Sequence, residues 1–249
     1  MADPILIGGN GHSGTRIFAE ILAAADVNMG ISGITRASSS FDLNIRELLN
    51  RWVGPYLHGK LSEHQLQLMA KQLRLRLAVY FPFRRRAWGF KNPRSMLILP
   101  FYHQLFPDMR FIHVIRDGRD VTLGNVLAGN EDYISAFMKS EDTHRSPEER
   151  MILFWGRSNE RAQRYGERCL GARYLRVRFE DLCERPAEIG SEILRFAGLQ
   201  QSRLSQIVRL VRKPTSIGRW RSFDPSLVDK VQRAGAPWLE GFGYEGVES

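Results

Sequence analysis

The chain has 249 residues, 43% hydrophobic and 25% charged, with a formal net charge of +9. That balance is ordinary for a globular protein with one sizeable core. No apolar run approaches the ~18 residues of a membrane span, and two cysteines, Cys169 and Cys183, make no disulfide framework. The start, "MADPILIGG", has no basic region before its apolar run, so a cytoplasmic protein is expected rather than a secreted one. The positive charge would attract polyanions. However, basic runs such as "RLRLAVYFPFRRR" (74–86) carry no nucleic-acid motif and no interleaved stacking aromatics. A basic cleft for a small, highly charged ligand explains the charge equally well.

In chain order, "PILIGG" (4–9) reads as a buried strand, and "SGTRIFAEILAAADV" (13–27) as a helix with Ile17, Ile21, Leu22 and Ala25 on one face. Helices follow over 41–53 and 62–80, the second capped by Ser62. "RAWGFK" (86–91) is a short strand, 94–106 a helix, and "MRFIHVIRD" (109–117) the clearest strand. A helix over 119–129 comes next, then a long helix over 146–169 with Ser146 as cap and Pro147 just inside. "RYLRVRFEDL" (173–182) reads as a strand and 186–199 as a helix; the C-terminal third reads as short helices and turns. There is no repeat and no Gly/Ser-rich linker, so residues 1–249 are expected to form a single domain.

Strands alternating with helices predict a three-layer α/β fold around a parallel sheet. Ligands of such sheets bind beyond the carboxyl ends of the strands, here 8–16, 91–94, 116–125 and 178–182. The first of these, Gly9-Asn10-Gly11-His12-Ser13-Gly14, has the G-x-x-x-x-G spacing of a phosphate loop. Its glycines would let backbone N–H groups and a helix start face an anion. A nucleotide triphosphatase would continue with Lys and then Ser or Thr, but here stand Thr15 and Arg16. Both the lysine for the β- and γ-phosphates and the Mg²⁺-holding hydroxyl are absent. No metal is expected. Three further basic turns, "KNPR" (91–94), Arg116 with Arg119, and "KPTSIGRWRSF" (213–223), point to an anion with several charged groups.

Taken together, "GNGHSGTR", "FKNPR", "FIHVIRDGRDVTLG", "RFEDLCERP", "FAGL", "SIGRWRSF" and "GFGYE" resemble, in order and spacing, the motifs of sulfotransferases that use 3′-phosphoadenosine 5′-phosphosulfate (PAPS). The resemblance runs from residue 4 to about 245. It implies a P-loop-like fold with helical insertions for the acceptor, and sulfuryl transfer by in-line displacement to a hydroxyl or amine. It implies that Gly11, His12, Ser13, Gly14, Thr15 and Arg16 hold the 5′-phosphosulfate. Lys91 would reach the bridging oxygen as charge builds there. Arg116, Asn125, Lys213, Gly218, Arg219 and Trp220 would enclose the 3′-phosphate, and Phe179 would offer adenine an aromatic surface. Trp220 and Phe179 read equally as core residues.

The chain departs from the family pattern at several positions. His12 stands where Lys or Arg is usual, which predicts donor binding that weakens between about pH 6 and 8 as the imidazole loses its proton, unless the ligand raises its pKa. It could also merely pack or cap the turn. Gly124 stands where a serine would bind the 3′-phosphate, leaving Asn125, Arg119 or the tail motif to compensate. Phe179 replaces a tyrosine, and Pro93 replaces the family's histidine base. Asp42 is the first choice of general base, with His58 and Glu20 as runners-up; Asp42 reads equally as a helix cap. His113, inside a strand, reads as a core residue. The acceptor pocket is expected from 26–85 and 126–146, for a carbohydrate, glycolipid or small metabolite. Two other readings compete with the transferase: a non-catalytic binder of nucleotide or sulfated ligand, and an ATP-dependent P-loop phosphotransferase.

Overall fold

The computed structural model describes residues 3–30, 40–81, 87–124 and 131–244, with the side chains of 40–46, 80 and 131 left aside. Four parallel strands, β1 (Ile5–Gly9), β2 (Gly89–Lys91), β3 (Arg110–Ile115) and β4 (Tyr174–Arg178), form a sheet in the order β2-β1-β3-β4. Ile7 is in register with Lys91 on one side and with Ile112 on the other, and Val114 is in register with Val177. All four strands therefore point the same way, and their carboxyl ends share one edge.

Side chains alternate across a strand, so each strand feeds two cores. Ile5, Ile7, Ile112, Val114 and Val177 pack with α1 (Thr15–Ala24), α9 (Pro186–Ala197) and α10 (Leu204–Leu210). Leu6, Phe90 and Phe111 face the opposite side. There they meet α2 (Ser40–Leu57), α3 (Glu63–Tyr80), α4 (Leu99–Leu105), α6 (Glu131–Ser135) and α7 (Pro147–Tyr165). A third cluster joins α5 (Gly118–Leu123), α7 and α11 (Pro225–Gly241) through Val121, Ile152, Trp155, Val231 and Leu239. The result is the expected three-layer, P-loop-like fold.

Several helix starts follow the sequence. Ser62 and Ser146 each close a capping box, with Gln65 and Glu149, and Pro147 occupies the first turn of α7. Elsewhere the elements differ. The strand expected over 173–182 ends at Arg178, and Phe179–Glu184 forms the short helix α8. Glu180 and Asp181 sit in its first turn, where acids suit the helix dipole. The helix expected over 94–106 divides into a 3₁₀ segment, Pro93–Ile98, and α4. Pro100, in the first turn of α4, cannot donate to a continuing helix. The expected helix over 146–169 stops at Tyr165 and continues as a π-turn, Gly166–Leu170, where Gly166 lies against the Tyr174 ring. The C-terminal third holds more than short pieces, because α11 spans 17 residues despite the internal Pro237. Asp224 caps it through the N–H groups of Ser226 and Leu227. Gly235 lets it approach Ile152 of α7.

Candidate anion site at the strand ends

The turn after β1, residues 10–14, leads directly into α1. His12 (φ 64°) and Gly14 (φ 81°) are both left-handed, which creates a concavity ahead of α1. Only glycine fits at 14, because a Cβ there would lie 2.4 Å from the Phe179 ring. Gly11, by contrast, faces open space. The Ser13 N–H donates to the Asn10 carbonyl at 3.2 Å, and the Asn10 amide donates to Ser158 Oγ of α7 at 3.2 Å. Among the described residues, no side chain caps α1. Ser13 is 1% exposed, and its hydroxyl has no hydrogen-bond partner among the described residues. Thr15 is buried, while His12 and Arg16 are exposed.

Arg116, at the end of β3, braces this turn. Its Nη1 donates to the His12 carbonyl at 3.2 Å, and its Nη2 meets Asp120 at 3.2 Å and Ser216 Oγ at 3.1 Å. Its guanidinium also lies 5.5 Å from the centre of the Phe179 ring. Asp120 is fully buried. Besides Arg116 it accepts the N–H of Gly218 at 2.7 Å and of Trp220 at 3.0 Å. One carboxylate thus docks the tail segment onto α5 and against the first turn.

Arg119 is enclosed in a different way. It forms a two-pronged pair with Asp117, at 3.0 and 2.8 Å, and lies 3.9 Å from the centre of the Trp220 ring. Arg221 covers the same indole at 4.3 Å, and Trp220 is 2% exposed. Trp220 is therefore an anchor of the tail. Glu180 completes the frame: it accepts the Asp117 N–H at 3.0 Å and the Tyr244 hydroxyl at 3.0 Å, and burial pushes its pKa up.

The side-chain space of Gly124 is filled by Arg219. A Cβ at 124 would lie 1.2 Å from Arg219 Nη2, which itself donates to the Asp120 carbonyl at 3.3 Å. Arg219 and Arg116 both act on His12. Partial enclosure of the imidazole, then the Arg219 charge, then the Arg116 charge hold its pKa below the ordinary 6.5. The imidazole is therefore largely neutral at pH 7, and in the absence of a ligand it takes its proton at lower pH than a free imidazole.

The remaining candidates are spread more widely. Lys91 is half-buried at the end of β2, in register with Ile7, and its neighbour Asn92 caps the following 3₁₀ segment. Arg94 is placed 4.9 Å from the Tyr133 ring and bonds Asn50, joining the 3₁₀ segment to α2 and α6. Lys213 pairs with Glu184 at 3.4 Å on the surface. Asp42 lies in α2 by its backbone, its side chain outside the described set, and Asn125 lies outside the described residues. His58 bonds the Asp132 carbonyl at 3.2 Å and Ser135 at 3.3 Å where α2 meets α6. Glu20 is half-buried on α1. His113 is a core residue. Because the Asn159 amide donates to Trp155 at 2.8 Å, its oxygen must accept Nε2–H of His113 at 3.0 Å, so Nδ1 accepts the Tyr174 hydroxyl at 2.8 Å.

Sequence reasoning missed Asp120, Glu180 and the Asn10–Ser158 tie. Only the spacing of Arg116 and Asp120, one helical turn apart, could have signalled the first. Among the described residues, no group of His, Cys, Asp and Glu is arranged to hold a metal ion, and no helix is long and apolar enough to cross a membrane.

A glycine turn with a buried hydroxyl, unpartnered among the described residues, thus stands beside the Arg116 guanidinium at the carboxyl edge of a parallel α/β sheet. Residues 4–203 match the model of the sulfotransferase family, and the chain belongs to that family. No curated protein matches it significantly by sequence. Among solved structures it is similar to a sulfotransferase of Mycobacterium avium, with 14% identity, 98% of this chain and 78% of that one covered, and a TM-score of 0.62. It is also similar to the sulfotransferase domain of the Synechococcus olefin synthase, with 20% identity, 98% and 96% covered, and a TM-score of 0.57. A mouse sulfotransferase complexed with PAP matches at 12% identity, with 95% and 84% covered and a TM-score of 0.51. At these identities the likeness is one of fold.

Proposed function

We propose that the chain is an enzyme transferring a sulfuryl group from PAPS to a hydroxyl or amine of an acceptor such as a carbohydrate, glycolipid or small metabolite. The observation that carries this reading is the Ser13 hydroxyl, buried and without a partner among the described residues, inside a turn with two left-handed residues, His12 and Gly14, at the start of α1. Such a turn fits a phosphosulfate. The absence of the Walker lysine and its following hydroxyl fits a reaction that uses no metal-bound triphosphate. A mouse relative in fold is complexed with PAP, the expected product of the donor.

In this reading Gly11 through Arg16 receive the 5′-phosphosulfate. Lys91 supplies positive charge at the bridging oxygen as the sulfur–oxygen bond breaks and its electron pair passes to the phosphate. The acceptor oxygen or nitrogen forms the new bond to sulfur, and Asp42 takes its proton. Positioning does most of the work, as in phosphoryl transfer. Arg116, Asn125, Phe179, Lys213, Gly218, Arg219 and Trp220 hold the adenosine bisphosphate part. Of these, Arg116 and Trp220 act mainly by holding the first turn and the tail together.

The test is a transfer assay with PAPS and a panel of hydroxylated acceptors, following release of 3′-phosphoadenosine 5′-phosphate and the mass of the product. Acceptor-dependent release without metal supports the reading. Turnover of ATP that requires Mg²⁺, with none of PAPS, overturns it.

A further inference from the structure

The charges around the tail do not balance pairwise: among the described residues neither Arg219 nor Arg221 has a carboxylate partner, and Arg221 lies exposed over the Trp220 ring. Arg116 has Asp120 and Arg119 has Asp117 as carboxylate partners. Arg219, among the described residues, forms no carboxylate ion pair. It has one backbone carbonyl, that of Asp120, and its Nε is buried without a partner. Its guanidinium lies in the volume that a side chain at 124 would need: a Cβ there would lie 1.2 Å from Nη2 and 2.1 Å from Cζ. A cation with no carboxylate partner among the described residues, sharing Asp120 with Arg116 and acting with it on His12, suits a dianion.

Position 124 is also where the family pattern has a phosphate-binding serine. We propose that Gly124 and Arg219 are an exchanged pair: the glycine is required so that the Arg219 guanidinium can stand in the missing side chain's space, and Arg219 there selects for the 3′-phosphate of the donor. The inference rests on the sulfotransferase reading above. It adds that selectivity for the second phosphate comes from one guanidinium rather than a hydroxyl, and that residues 124 and 219 cannot vary independently.

The experiment is calorimetric titration of the full chain with adenosine 3′,5′-bisphosphate and adenosine 5′-monophosphate, on the wild type, Arg219→Ala, Gly124→Ser and the double variant. Circular dichroism checks folding of each. The wild type should prefer the bisphosphate. Arg219→Ala should weaken bisphosphate binding by about 10- to 100-fold, with the monophosphate changed less than about threefold. Gly124→Ser alone should lose the same preference by displacing the guanidinium. The double variant, which has room for the serine, should recover part of it. If Arg219→Ala does not fold, Arg219→Lys replaces it, with an intermediate loss expected. An unchanged bisphosphate-to-monophosphate ratio in the Arg219 variant overturns the proposal, as does a double variant with no recovery. A wild type that binds both nucleotides equally overturns it while leaving a nucleotide site standing. A wild type that binds neither overturns it together with the donor reading.

Discussion

The Asp120 carboxylate accepts the Gly218 N–H at 2.7 Å across 98 residues of chain, and with the same two oxygens holds Arg116 and the Trp220 N–H. It is the point where α5, the tail and the brace of the first turn meet. Asp120→Asn would leave the buried Arg116 without its counter-charge. Breaking one side of a buried pair costs about 3–5 kcal/mol. Urea denaturation should show a loss of that order, and anion binding should weaken with it. An unchanged midpoint would mean that Asp120 contributes no net stability.

Gly14 and Phe179 form the second structural dependence. Gly14→Ala adds a Cβ 2.4 Å from the ring and places a side chain at φ 81°. The left-handed conformation costs about 1–2 kcal/mol and overpacking about 1–3 more. In a Phe179→Ala background only the first cost should remain, so a double-mutant cycle should show coupling above about 1 kcal/mol. Strict additivity would contradict the contact.

His12 should make anion binding depend on pH. Its pKa in the folded chain lies below 6.5, the value it takes when unfolded. A bound phosphate favours the imidazolium and raises that pKa. Affinity should therefore rise as pH falls through the ligand-bound pKa and level off below the free one. The same shift has the opposite consequence for stability: below pH 6.5 the unfolded chain binds more protons, so His12 destabilises the fold as pH falls through its folded pKa. NMR titration of His12 with and without 3′-phosphoadenosine 5′-phosphate measures both pKa values. Identical values, with pH-independent affinity, would remove His12 from the anion site.

His113 gives a separate acid response. Burial pushes its pKa down to about 4. The unfolded chain gains the proton near pH 6.5, so stability is full above that value and falls between about 6.5 and 4. The total is about 3 kcal/mol, from roughly 1.4 kcal/mol per pH unit. His113→Gln should flatten that part of the stability profile. A profile unchanged by the substitution would show that other groups govern acid unfolding.

The sheet and the edge where its strands end were legible because buried strands, capped helices and glycine turns are local signals: "PILIGG", Ser62 and Ser146 each carry theirs within a few residues. α11 was obscured by Pro237, since a proline inside a periodic segment reads as a break. It stands because Gly235 packs against Ile152 of α7. The site was legible in its residue types but not in its pairings. Arg116 and Arg119 read alike as phosphate ligands, yet each is held by an aspartate within four residues. Arg219 entering the space of Gly124 joins segments far apart in sequence, and nothing near either residue announces it.

The most direct test of the donor site needs no acceptor. The purified protein is titrated by calorimetry with 3′-phosphoadenosine 5′-phosphate, with AMP and ATP·Mg²⁺ alongside. Micromolar or tighter binding of the bisphosphate without metal, with AMP weaker by at least about tenfold, is the predicted result. No binding of the bisphosphate, or Mg²⁺-dependent binding of ATP in its place, would contradict a PAPS site in this fold.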